Sequence, residues 1–207
     1  VGKDISLDDL RNEGYEAFYV AIGAQGSRKL NIPGEENEMV ESGIDFLRKV
    51  NKTENPNLIS GDVVVVGGGN VAIDVARIAL RSGAEKVHLY SLEQEAEMPA
   101  SFEEVSEAKE EGIILHCGWG PKEILEDSIV FKQCVSVKDE TARFNPSYDE
   151  NVLETIQCSH VLLSIGQSIV PIQGFDVEVN PNGTIKADGT TLQTSVEDVF
   201  AGGDVYT

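Results

Sequence analysis

The clearest patterning lies between residues 62 and 117, where short apolar runs alternate with segments of helical period. Asp62–Val66 is a run of valines behind one acid, which predicts a strand buried on both faces. Asn70–Ser82 places its apolar residues at helical spacing and stops at Gly83, a helix with a glycine terminator. Lys86–Ser91 predicts the next strand. Ser101, with Glu104 three residues on, opens a capping-box helix that Gly112 ends, and Ile113–Cys117 predicts a third strand. This β-α-β-α-β order with short connections predicts an α/β fold built on a doubly wound parallel sheet.

The flanks follow other periods. Ser6 and Asp9 form a capping pattern ahead of a short helix that Gly14 stops, and "EAFYVAIGA" (16–24) predicts a buried strand. "LNIPGEE" (30–36) reads as a loop, Ser42 and Asp45 cap a second helix over "GIDFLRKV", and "NKTENPNLISG" (51–61) reads as a linker. From about 121 to 158 the pattern changes. "KEILEDSIVFKQCVSV" predicts two strands around a tight turn and "ENVLETIQC" a third, with "KDETARFNPSY" between them as a polar loop. This is expected to be an antiparallel β insertion. "SHVLLSIGQ" (159–167) and "DVFAGGDV" (198–205) return as apolar strands that end in glycine.

Composition narrows the function. The 207 residues carry 16 basic and 36 acidic side chains, a net charge of −20. A nucleic-acid or anionic-membrane surface needs a basic footprint, so neither partner is expected. No apolar run approaches the ~20 residues that span a bilayer. The N-terminus has neither a basic nor an apolar leader region, so a cytoplasmic chain is expected. Cys117, Cys134 and Cys158 form no C-x-x-C pair, which leaves dithiol redox chemistry and Cys-rich metal sites without a local pattern. His88, His116 and His160 sit singly among apolar neighbours and read as core or edge residues. Asn51 and Asn182 match a glycosylation triplet with nothing else pointing to secretion.

"VVVVGGGNVAID" (63–74) is where chemistry enters. Gly67, Gly69 and Ala72 fit G-x-G-x-x-A between a predicted strand and a predicted helix, the context of a Rossmann-like dinucleotide turn. Gly67 permits the tight turn, and Gly69 leaves the backbone free to approach a pyrophosphate. Ala72 lets the helix pack closely. The free amides and positive dipole end of the helix, at Asn70 and Val71, then face the phosphates. The other reading of the same turn is a tight βα connection with no ligand. Asp74, Arg77 and Arg81 share one face of the helix, either near the ligand or as a solvated, ion-paired edge.

Three stretches together carry a family resemblance: "FYVAIGAQGSRKLNIPGEE" (18–36), "VVVVGGGNVAIDVARIALRSGAEKVHLY" with "EMPASFEEVSEAKEEG" (63–112), and "LLSIGQ … TLQTSVEDVFAGGDV" (162–205). The chain resembles the flavoproteins of the glutamate synthase small-subunit type and is similar to the reductase portion of dihydropyrimidine dehydrogenase. The resemblance implies an FAD-binding domain interrupted by an NAD(P)H-binding domain. NAD(P)H would reduce the flavin, and electrons would pass to iron–sulfur clusters or a partner subunit. It implies residues 1–50 as a partial FAD-domain segment with its connector, 51–167 as the NAD(P)H-binding domain, and 168–207 as a second partial FAD-domain segment. It places Gly67, Gly68, Gly69, Asn70, Val71 and Ala72 on the dinucleotide. The stretch "SIGQ" (164–167), with Ile165, Gly166 and Gln167, would close over the nicotinamide nucleotide, and Gly23, Gly203 and Asp204 would face the flavin.

The family's flavin domain opens with its own G-x-G-x-x-G turn, and these 207 residues hold no second such turn. The expectation is therefore a fragment that depends on the remainder of an FAD domain. Nicotinamide preference is set where the strand after the glycines ends. NADPH-using members commonly carry Tyr-Arg-Arg there. Here Tyr90, Ser91 and Leu92 are followed by Glu93, with no Lys or Arg from 87 to 108. NADH is expected over NADPH, with Glu93 as ribose partner and Ser91 second; the other reading makes Glu93 a solvated loop residue. The competing function class is a non-catalytic module that binds a dinucleotide without turning it over.

Overall fold

The computed structural model describes residues 4–53, 55, 57–170 and 176–206. The chain forms two compact units, one from residues 1–26 and 167–207, the other from 27–166. In chain order the elements are α1 (Leu7–Asn12), β1 (Phe18–Val20), β2 (Gly26–Ser27), β3 (Val40–Ser42), α2 (Gly43–Lys52), β4 (Asp62–Val66), α3 (Asn70–Arg81), β5 (Lys86–Ser91), α4 (Phe102–Glu110), β6 (Ile114–Cys117), β7 (Trp119–Ile124), β8 (Ser128–Lys138), β9 (Phe144–Gln157), β10 (His160–Leu163), β11 (Gln167–Ser168) and β12 (Val199–Ala201).

The larger unit is built on a five-stranded sheet in the order β3-β10-β4-β5-β6, with every pair parallel. Its strands are buried on both faces, as the continuous apolar runs require. Val63, Val65, Val87, Leu89 and Leu162 point to one face and pack on Phe46 of α2, Ile73 of α3 and Val105 of α4. Val64, Val66, Tyr90, Val161 and Leu163 point to the other and pack on Ile124, Ile129 and Phe131 of the antiparallel layer. The two sets alternate along each strand because successive side chains leave a strand on opposite faces.

The parallel sheet and the antiparallel insertion are as expected, with one difference of layering. All three helices of this unit cover the same face, and the antiparallel sheet β7-β8-β9 covers the other, where helices of a doubly wound sheet would lie. The insertion has an apolar inner face of its own, so it serves as the second cover. Tyr90 joins the layers: its ring stacks on Phe131 with centroids 3.7 Å apart and on His116 at 4.2 Å. Its hydroxyl donates to Glu154 at 2.7 Å, and His116 in turn shares a 3.0 Å hydrogen bond with His88.

Several local expectations change. The polar stretch 138–148 is mostly strand. The chain turns over 139–143, where an Asp139 carboxylate oxygen accepts the Thr141 and Arg143 amides at 2.8 and 3.1 Å, and β9 starts at Phe144. Its polarity reflects a hairpin tip exposed on both sides. The expected strand over 16–24 is ordered as strand only at Phe18–Val20, where β12 pairs with it. β3 has no pattern of its own and exists through its pairing with β10. That pairing puts β3 and α2 inside the larger unit, which begins at residue 27. In the expected linker 51–61, helix α2 runs on to Lys52, and Glu54 and Pro56 lie outside the described residues.

In the smaller unit β1 and β12 pair in parallel over a core of Leu7, Val20, Ile185, Val199, Ala201 and Val205. The Ser6–Asp9 capping box forms in both directions. Arg11 grips Asp198 through two hydrogen bonds of 2.6 and 2.8 Å and ties α1 to the start of β12.

Candidate dinucleotide site

The sheet order locates the site before any side chain does. From β4 the chain winds outward through α3 to β5 and α4 to β6, while β10 pairs on the opposite side of β4. The winding reverses between β4 and β10, and ligands of open α/β sheets bind outside the carboxyl ends of strands at such a point. Gly67–Gly69 follows β4 there, and Ser164 follows β10.

The three glycines do different work. At Gly67 (φ 150°) a Cβ would collide with the Ser164 carbonyl and lie 3.1 Å from the Ala72 side chain. Only glycine lets the turn pass between strand and helix at this separation. At Gly68 a Cβ would lie 2.7 Å from Glu93 Oε2 and 3.2 Å from the Ser91 Cβ. At Gly69 it would meet nothing within 4 Å. Gly69 is the N-cap of α3, and no side chain caps the helix. The first amides of α3 therefore end in open space beside a bare backbone, as a bound pyrophosphate requires.

The sequence-expected residues fall into three sets. Gly67, Gly68, Gly69, Asn70, Val71, Ala72, Ser91 and Glu93 assemble around the carboxyl ends of β4 and β5. Ala72 is fully buried and acts through packing. Ser91, expected as a second ribose partner, is 1% exposed and donates its hydroxyl to the Glu93 carbonyl at 2.9 Å; it shapes the turn that carries Glu93. Asn70 is also committed, because its Oδ1 accepts the Ser101 amide at 2.9 Å and so latches α3 to α4. That bond takes the donor that Glu104 would have used, so the Ser101–Glu104 capping box closes in one direction only. One Glu104 carboxylate oxygen is left buried without a partner. Ile165 joins the core cluster on the antiparallel side. Gly166 ends this unit, and Gln167 begins the other.

Gly23, Gly203 and Asp204 come together in the smaller unit. Gly23 and Gly203 both adopt positive φ, and a Cβ on Gly23 would lie 3.9 Å from an Asp204 carboxylate oxygen. An exposed carboxylate between two bare backbone segments suits the hydroxyl-rich chain of a flavin nucleotide.

Charge around the glycine turn is acidic, and the nearby cations are engaged. Lys109 pairs with Glu95 at 2.8 Å; Arg77 pairs with Glu107 at 2.8 Å and Glu111 at 2.6 Å, and Arg81 pairs with Glu111 at 2.5 Å. Hydrogen bonds from Arg77 and Arg81 hold the Glu111 carboxyl below its ordinary range. The Arg77–Arg81 face is therefore an ion-paired helix–helix contact. All three cysteines are free thiols, and burial pushes each pKa up, that of Cys158 to about 12. Ser164, the first residue of the SIGQ stretch, has its Oγ buried without a partner beside Gly43. Only the β4–β10 pairing brings it to Gly67, and nothing local in "LLSIGQ" announces that neighbour.

No helix among the described residues is long and apolar enough to cross a membrane, and none of their side chains cluster as a metal site. The pyridine nucleotide-disulphide oxidoreductase family model matches residues 2–207. The chain is 39% identical to the NADP(+)-dependent formate dehydrogenase subunit beta of Moorella thermoacetica, over 99% of this chain and 30% of that protein. It is 31% identical to the glutamate synthase [NADPH] small chain of Azospirillum brasilense, over 99% and 46%. The fold superimposes on FprA from Mycobacterium tuberculosis with a TM-score of 0.80 at 19% identity, covering 99% of this chain and 61% of that one. The chain thus spans about a third to a half of the two curated relatives. The glycine turn at the switch point and the match across residues 2–207 place the chain in the pyridine nucleotide-disulphide oxidoreductase family.

Proposed function

We propose that residues 27–166 form the nicotinamide-dinucleotide-binding unit of an FAD-dependent oxidoreductase. The remaining segments belong to its flavin domain, which other parts of the protein complete. The observation that carries this reading is the uncapped N-terminus of α3, opening onto empty space at Gly69 at the point where the sheet reverses its winding. Gly68, Gly69, Asn70 and Val71 would bind the pyrophosphate through backbone amides, with Gly67, whose own amide donates to the Tyr90 carbonyl at 2.9 Å, shaping the turn. Ser164, Ile165 and Gly166 would lie along the nucleotide at the end of β10, and Gly23, Gly203 and Asp204 would face the flavin. When bound, the nicotinamide supplies a hydride that the flavin accepts; the protein's part is position and electrostatics.

Electrons would then leave singly through iron–sulfur centres or a partner subunit. Relatives named as a subunit beta and a small chain support this reading, as does the absence of a C-x-x-C pair that could take the electrons as a dithiol. A cytoplasmic location fits the same reading. Anaerobic mixing of the full-length protein with reduced nicotinamide nucleotide tests it. Bleaching of the flavin absorbance on the catalytic timescale is expected. A protein that binds the nucleotide but never bleaches would instead be a non-catalytic binding module.

A further inference from the structure

We propose that this site selects NADH against NADPH and that the Glu93 carboxylate enforces the choice. The proposal rests on reading Gly67–Asn70 as a dinucleotide turn and concerns its adenosine end. The second strand of the βαβ unit, β5, ends at Ser91, and Glu93 follows in the loop where such folds receive the adenosine ribose. Glu93 Oε2 lies 2.7 Å from the position a Cβ on Gly68 would take, so the carboxylate stands directly beside the middle glycine.

The loop is built to hold it there. The Glu93 carbonyl accepts the Ser91 hydroxyl at 2.9 Å and the Gly118 amide at 3.0 Å. On the far side of the loop the Ala100 amide donates to the Gly68 carbonyl at 3.0 Å. The backbone on either side of the glutamate is thus pinned to β5, to the residue before β7 and to the glycine turn itself.

A ribose with free 2′ and 3′ hydroxyls donates hydrogen bonds, and a carboxylate accepts them. A 2′-phosphate offers only acceptors and negative charge, so against Glu93 it gains no bond and meets like charge. No Lys or Arg occurs from residue 87 to 108 to offset this. Lys109, just beyond, pairs with Glu95, and Arg77 and Arg81 pair with Glu107 and Glu111. The two curated relatives described above carry NADP(+) and NADPH in their names, so the proposal separates this chain from them.

Calorimetric titration of the full-length protein with NADH and with NADPH tests it. NADH is expected to bind at least about tenfold more tightly, a difference of about 1.4 kcal/mol. Glu93→Gln should narrow the ratio by strengthening NADPH binding, and Glu93→Arg should reverse it. Glu97→Gln, which removes a neighbouring charge, should leave it unchanged. Equal or tighter binding of NADPH by the unmodified protein overturns the assignment while leaving the dinucleotide site intact. A ratio that moves as much in Glu97→Gln as in Glu93→Gln also overturns it, since the net acidic field would then be responsible. Failure of both nucleotides to bind removes the dinucleotide reading and this proposal together.

Discussion

Gly67 lies against the backbone of Ser164, and a Cβ on the glycine would come within 2.9 Å of the serine carbonyl carbon. The contact joins the ends of β4 and β10, the two strands between which the sheet reverses direction. It separates the structural role of the first glycine from the binding role proposed for the third.

Gly67→Ala should therefore cost about 1–3 kcal/mol, as overpacking against fixed backbone does. Gly69→Val meets open space and should cost no more than about 1 kcal/mol through the poorer N-cap, yet its side chain would fill the place proposed for the pyrophosphate. Urea unfolding and calorimetry of both variants check the contrast. The expected pattern is a lowered midpoint for Gly67→Ala, and a folded Gly69→Val that no longer binds either nicotinamide nucleotide.

The Asn70–Ser101 latch predicts a hidden coupling. Asn70→Ala frees the Ser101 amide, and the unpartnered Glu104 oxygen can then turn to it and complete the capping box. Asn70→Ala alone should cost little, and Glu104→Ala alone should be near neutral. The double variant should lose about 1 kcal/mol beyond their sum. A double-mutant cycle in denaturant unfolding measures this, and strict additivity would dismiss the exchange.

Phe131 predicts the strength of the seam between the layers. It is fully buried and stacks on Tyr90 from the antiparallel side. Phe131→Ala should destabilise the larger unit by about 3–5 kcal/mol. Hydrogen exchange should rise in β7–β9 and in the parallel sheet together, because the two sheets share this core. Exchange confined to β8 would show that the layers are held independently.

The histidines predict a loss of stability in mild acid. Burial holds His88, His116 and His160 below the ordinary imidazole value of 6.5. His116 and Lys86 push His88 further down, while Asp62 and Glu154 oppose this; Glu154 also opposes the shift at His116, and Glu41 that at His160. The unfolded chain takes up these protons near pH 6.5 and the folded chain resists them. Their contribution is thus complete above that pH and is lost as pH falls toward the lower folded values. Denaturant midpoints should drop between about pH 7 and pH 5, above the range where the lowered carboxylates titrate. His116→Gln should flatten that drop, and an unchanged slope would assign it to other groups.

Much of this protein could be read from local pattern. Valine runs too apolar to face water must be buried on both sides, which marks Asp62–Val66 as a central strand. Ser6, Ser42 and Ser101 announce helix starts because a short hydroxyl side chain satisfies a free amide wherever the tertiary fold puts it. The spacing of Gly67, Gly69 and Ala72 declares the turn because its steric demands are local. What covers each face of the sheet was not legible, since an apolar strand face does not say whether a helix or another sheet will pack on it. Nor was β3, whose hydrogen bonds come from a strand more than a hundred residues away. Side-chain allegiance was the last thing decided. Ser91 and Asn70 both looked like ligand groups, but the fold offered Ser91 the Glu93 carbonyl and Asn70 the Ser101 amide. A polar atom takes whichever partner the tertiary structure brings within reach, and that choice is made only when distant segments meet.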